Sequence, residues 1–258
     1  MDLDDAYANG PHIPGGDAFP AQWAAKAKAF RAAVPGALNQ PYGARAREVF
    51  DLFEPAGDAL GTVVFVHGGY WRSTDKDLWT HLAAGPLARG WRVACVDYDL
   101  CPDVTIPQIT RQIAAAIGVI ADRCAGPLRL TGHSAGGHLV ARMLDPQVAG
   151  DWMKRVAGVV PISPLCDLEP FLRTSMNADF GLDAGTARAE SPIHQPIPDA
   201  AVTVWVGGAE RPAFLDQARW LGQAWNCPVV IDDGRHHFDI IAGLEDAESK
   251  LTQDVVGG

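Results

Sequence analysis

Residues 127–144 read PLRLTGHSAGGHLVARML. An apolar run enters Gly132-His133-Ser134-Ala135-Gly136, and a helix-forming run leaves it. This is G-x-S-x-G set between a strand pattern and a helix pattern, a reversal so tight that the flanking positions must lack side chains. The serine is pushed into a strained, exposed position at its tip. The five-residue pattern alone arises by chance in roughly one chain in ten of this length. Its place between a buried strand and a helix is what makes Ser134 a candidate nucleophile.

Working outward, similar apolar runs recur: EVFDLF (48–53), GTVVFVHGG (61–69), WRVACVDYDL (91–100), VAGVVPIS (156–163), AVTVWVGG (201–208) and CPVVIDDG (227–234). Near-continuous runs of this kind bounded by Gly or Pro belong to strands buried on both faces. Helical patterns lie between several of them. Over 105–124, Ile106, Ile109, Ile113, Ile117 and Ile120 form one apolar stripe, with Thr105 and Gln108 as a capping box and Pro107 in the first turn. Further helices are expected at 21–33, 135–145, 211–225 and 238–253. Strands alternating with helices predict an α/β fold with a mostly parallel, doubly wound sheet.

With 258 residues and 48% hydrophobic content, the chain is long enough to bury a core in one domain, 1–258. Residues 1–40 read as an N-terminal arm and helix. Residues 165–200 have weak periodicity and four prolines, and read as a lid or cap insertion. The net charge of −10 argues against a nucleic-acid partner. No apolar run approaches the ~20 residues of a membrane span, and the acidic first ten residues lack a basic leader, so no membrane partner and a cytoplasmic location are expected. Cys95, Cys101, Cys124, Cys166 and Cys227 make no metal spacing and read as reduced thiols. A homodimer is compatible with all of this.

A serine hydroxyl needs a base to take its proton and a third group to hold that base. In the α/β-hydrolase fold that uses this elbow, the chain order is serine, acid, histidine. AVTVWVGG is followed by Ala209-Glu210, and CPVVIDDG by Arg235-His236-His237. Spacing alone admits either His236 or His237 as base. Glu210 stands right for the acid, with Asp167, Asp233 and Asp239 as alternatives. His67 and His133 read as loop braces, His138 lies on the helix after the serine, and His12, His81 and His194 read as surface or loop residues. VFVHGGYWRS (64–73) explains its own glycines: an oxyanion at the attacked carbonyl needs N–H groups already aimed at it, from Gly68, Gly69 and Tyr70 together with Ala135. Tyr70 and Trp71 are then candidates to line the pocket mouth, where an aromatic substrate can stack, with Trp71 reading equally as a core anchor under the loop.

HGGYW, GHSAGGHL, CDLEPFLRTSMN followed by SP, and HHF together resemble the kynurenine formamidase (arylformamidase) branch of the α/β-hydrolases, over about residues 40–245. HGG and GHSAG are shared with esterases related to hormone-sensitive lipase; HGGYW with DLEP is narrower. The resemblance implies Ser134 as nucleophile, His237 as base and Glu210 as acid, where the branch usually carries Asp. It implies hydrolysis of N-formylkynurenine to formate and kynurenine, with no cofactor and no metal. A small aromatic formamide or ester is the expected partner, with Tyr70, Trp71, Phe171, Phe180 and Phe214 as candidates around its ring and core packing as the alternative reading of the three phenylalanines, favoured for Phe214. The competing expectations are a broader carboxylesterase or amidase, and a hydrolase-fold protein that binds a ligand without turnover.

Overall fold

The computed structural model describes residues 3–258. Eight strands form one sheet: β1 (Gly36–Pro41), β2 (Val49–Phe53), β3 (Thr62–Val66), β4 (Arg92–Val96), β5 (Leu128–His133), β6 (Val156–Ile162), β7 (Val204–Gly207) and β8 (Val229–Asp232). Their order is β1-β2-β4-β3-β5-β6-β7-β8. β1 and β2 pair antiparallel, as do β2 and β4, and every later pairing is parallel. The helices are α1 (Leu3–Ala6), α2 (Phe19–Ala33), α3 (Ala84–Ala88), α4 (Ile106–Arg123), α5 (Ala135–Arg142), α6 (Asn177–Phe180), α7 (Ala184–Ala189), α8 (Pro212–Trp225) and α9 (Lys250–Val256).

Side chains alternate across the central strands. Val64 and Val66 join the core on one face, with the five isoleucines of α4, while Val63 and Phe65 join the core on the other, with Trp79, Leu82 and Val255. Each of those isoleucines is fully buried, and burying one such side chain contributes roughly 1.5–3 kcal/mol. The Gln108 side chain closes the start of α4 by accepting the Thr105 N–H at 2.7 Å. All five cysteines are unpaired.

Three expectations change. The helix read over 238–253 is a 3-10 segment, Ile240–Glu245, followed by α9. Local caps divide it: Asp246 accepts the Glu248 N–H, and Ser249 caps α9 through the Thr252 N–H. His81 is buried rather than a surface residue, with neither ring nitrogen hydrogen-bonded. Residues 165–200 form short helical turns sewn down by buried polar pairs, with Glu190 accepting from Thr110 of α4 at 2.7 Å and from Arg142 of α5 at 3.2 Å. Among the described residues, no helix is long and apolar enough to cross a membrane.

Buried histidines give the fold an acid dependence. Trp71 Nε1 donates to His138 Nδ1 at 3.2 Å, and Nε2 faces the Glu190 carbonyl at 2.8 Å. An indole N–H only donates, so His138 is neutral with its proton on Nε2. Burial lowers its pKa to about 3, opposed by the Glu190 carbonyl. Burial likewise lowers His81 to about 4, and His133 well below the ordinary range. A folded-state pKa below the unfolded value of about 6.5 means that the unfolded chain binds more protons. Stability is therefore full above that pH and falls as acid is added down to the folded pKa. Each such histidine costs about 2 kcal/mol at pH 5. The Tm measured by calorimetry is expected to drop by roughly 5 °C or more between pH 7 and pH 5. A Tm unchanged over that range contradicts the neutral-histidine assignment.

Candidate active site

The candidate residues gather where the parallel strands end, the edge at which open α/β sheets build their sites. The HGG loop leaves β3, the serine leaves β5, Glu210 follows β7 and His237 follows β8. Ser134 has φ 58° and ψ −116°, a conformation a non-glycine residue adopts only under constraint. The constraint is visible in its neighbours. A Cβ on Gly136 would lie 2.0 Å from the Val66 carbonyl oxygen, and one on Gly132 2.4 Å from the Gly136 carbonyl oxygen. Backbone packs on backbone there, so only glycine closes the turn.

His237 and Glu210 are buried together. His237 Nδ1 lies 2.6 Å from Glu210 Oε2, which leaves Nε2 as the ring nitrogen available for proton transfer. The other carboxylate oxygen, Oε1, accepts from the Gly207 N–H at 2.8 Å and from Ser163 Oγ at 2.5 Å. Ser163 sits just past β6 with φ 47°, a second strained residue aimed at this site. Phe214 packs against the imidazole with the rings tilted by 49° and their centroids 4.2 Å apart. His236 is turned away, its Nδ1 accepting the Phe238 and Asp239 N–H groups of its own turn. The alternative carboxylates are also occupied elsewhere: Asp167 accepts from Glu169, Asp239 accepts the His236 N–H, and Asp233 is exposed.

The loop after β3 is held rigidly. His67 stacks on Tyr98 at 4.2 Å, and its ring nitrogens lie 3.1 Å from Asp97 Oδ1 and 2.8 Å from the Gly68 carbonyl. Gly69 has φ +104°, and a Cβ there would meet the Ser73 carbonyl oxygen at 2.2 Å. Tyr70 and Trp71 follow at φ 52° and 55°. Among the described residues, the Gly69 and Tyr70 N–H groups have no backbone acceptor. Ala135 opens α5, where a first-turn N–H has no partner within the helix. A Cβ on Gly68 would lie 3.1 Å from the Ser134 Cβ, so this loop and the serine are immediate neighbours.

A cavity of about 250 Å³ joins these parts, lined by Ser134, His133 and His237, by Gly69 and Tyr70, and by Trp79 and Phe238. Asn9, Gly10, Pro20 and Trp23 of the N-terminal segment complete its wall. Of the five aromatics expected around a substrate ring, Tyr70 lines the cavity. Trp71, Phe171, Phe180 and Phe214 do not: each is buried in the core. The positive φ at Trp71 turns its indole inward onto His138, with edge-on contacts to Phe171 and Phe180 at 5.9 and 5.5 Å. Phe214 supports His237 from behind. No residue of 165–200 lines the cavity, so the covering expected of that segment is supplied by the N-terminal arm. His133, read as a loop brace, lines the cavity with its Nε2 unpaired. Asn9, Trp79 and Ser163 carried no sequence signal, because chain folding over long separations is what brings them here.

Residues 63–222 match a family described as having the α/β-hydrolase fold. The kynurenine formamidase of Salmo salar is 30% identical over 240 residues, covering 84% of this chain and 79% of that protein. The kynurenine formamidase of Drosophila melanogaster is 30% identical over 222 residues, covering 76% and 72%. A crystal structure of a candidate thioesterase from Silicibacter sp. TM1040 is 54% identical, with a TM-score of 0.98 and 100% of both chains covered.

Proposed function

The chain belongs to the kynurenine formamidase branch of the α/β-hydrolase family, and we propose on that footing that it is a serine hydrolase cleaving the formamide of N-formylkynurenine. The observation that carries this reading is the buried His237–Glu210 pair, 2.6 Å apart, in one cavity with Ser134. Ser134 Oγ attacks the formyl carbon while His237 Nε2 takes its proton. The carbonyl oxygen becomes negative opposite the N–H groups of Gly69, Tyr70 and Ala135, with Gly68 giving the loop its close approach. One such donor is worth about 3–4 kcal/mol of transition-state stabilisation. His237 then hands the proton to the aryl nitrogen, the C–N bond breaks and the amine leaves. Water, deprotonated by His237, attacks the formyl-serine, releasing formate and restoring Ser134.

Chemistry and site agree. The anilide nitrogen shares its lone pair with the ring, which weakens amide resonance and helps the bond to break. A formyl group needs almost no acyl pocket, and the cavity is on the scale of one small molecule. Formate and free aryl amine are expected in equal amounts, and pretreatment with a serine-directed phosphonate is expected to label Ser134 and stop both. Continued formate release after labelling would contradict the reading. One observation favours a second reading, hydrolysis of small acyl esters or thioesters by the same residues: the 54% identical protein carries the name of a candidate thioesterase.

A further inference from the structure

We propose that Asn9 recognises the leaving group, its side-chain oxygen accepting a hydrogen bond from an N–H on the departing amine. The inference rests on the serine-hydrolase reading and adds to it what distinguishes an amide from an ester. Asn9 lies between α1 and the 3-10 turn Gly10–His12, 6% exposed, in the wall of the cavity that holds Ser134 and His237.

The orientation of its amide follows from its neighbour. The Tyr70 hydroxyl has one hydrogen, donated to the Tyr7 carbonyl. The Asn9 group facing that phenol oxygen must therefore be a donor, and Nδ2 stands 3.2 Å from it. Oδ1 is what remains, buried and without a protein partner. An acceptor left so in a folded protein costs roughly 1–3 kcal/mol. The segment is not loosely laid down, since Gln217 donates to the Tyr7 hydroxyl at 2.9 Å and Arg211 to Asp5 at 2.8 Å. Trp79 Nε1 and His133 Nε2, on two other residues of the same cavity wall, are also buried without partners. Three residues of the wall thus carry polar atoms that no protein group satisfies. Among the three, an indole nitrogen only donates and an imidazole nitrogen takes either role, so Asn9 Oδ1 is the fixed acceptor.

A secondary amide presents one N–H at the bond being cleaved, and an ester presents oxygen there. A site built to bond an N–H discriminates against the analogue lacking it, because its own acceptor is then left unpaired. Formanilide and phenyl formate differ at that atom alone. The test measures kcat/KM for both with wild type and with Asn9→Leu, which keeps the volume and removes the polar atoms. The expected result is a fall of at least tenfold in the formanilide-to-phenyl-formate ratio. Damage to arm packing lowers both constants together, and an unchanged ratio overturns the proposal. Acetanilide as a competitive inhibitor of phenyl formate turnover separates this from the formamidase reading. Its Ki is expected to rise at least fivefold in Asn9→Leu even if wild type fails to cleave formanilide, and an unchanged Ki sinks the role of Asn9 whatever the substrate.

Discussion

Ser134→Ala is expected to lower turnover about a millionfold while leaving the fold in place, the scale seen when a serine hydrolase loses its nucleophile. What remains is substrate binding and the oxyanion donors, which act on water far less effectively than on a covalently engaged serine. The substitution leaves the packing of the turn untouched. Ser134 Oγ is not part of the contacts that close the turn, which are backbone contacts of Gly132 and Gly136 with Val66 and with each other. The Ser134 N–H still bonds the Ile162 carbonyl at 2.8 Å. Circular dichroism and Tm check folding, and a continuous assay of amine release checks activity. A folded variant with activity within tenfold of wild type removes Ser134 from the chemistry.

The second large effect concerns the acid. Glu210→Gln is expected to reduce kcat about 10⁴-fold, through the tautomer of His237. Glu210 Oε1 is pinned by two donors, Gly207 N–H and Ser163 Oγ. In the glutamine variant the oxygen keeps that place and the NH₂ faces His237 Nδ1. Two N–H groups cannot face each other, so the imidazole proton moves to Nε2, which is then unable to accept from Ser134. Ser163→Ala removes one of the two pinning bonds and keeps the other, so a smaller loss of roughly 10- to 100-fold in kcat, with KM little changed, is expected. Asp233→Asn, at an exposed position, is the contrast, with activity near wild type. If Asp233→Asn were the damaging change and Glu210→Gln the mild one, the acid assignment would be wrong.

Much of this was readable in the chain because its causes are local. The elbow is legible since backbone packs on backbone at Gly132 and Gly136, which excludes every other residue there. The α4 stripe is legible since a helix repeats its buried face every three or four positions. Strand order points to Glu210 and to the pair His236-His237, and the family resemblance is what singles out His237. The direction of a side chain after a positive-φ turn is a different matter. Trp71 reads equally as a pocket residue or a core anchor, and the structure turns it into the core, a choice that nothing in HGGYW marks. The division of 238–253 came from two competing caps, which outweighed apolar periodicity. Asn9 meets Tyr70 across 61 positions, a tertiary contact no local pattern announces. For the same reason the cavity wall expected from 165–200 comes from the other end of the chain.

The measurement that bears most directly on the account is the pair of specificity constants for N-formylkynurenine and p-nitrophenyl butyrate, the first followed by the absorbance of the freed arylamine. The expected result is a kcat/KM for the formamide well above that for the ester. Strong ester turnover with negligible formamide cleavage would contradict it, retaining Ser134, His237 and Glu210 as the machinery of a different hydrolase.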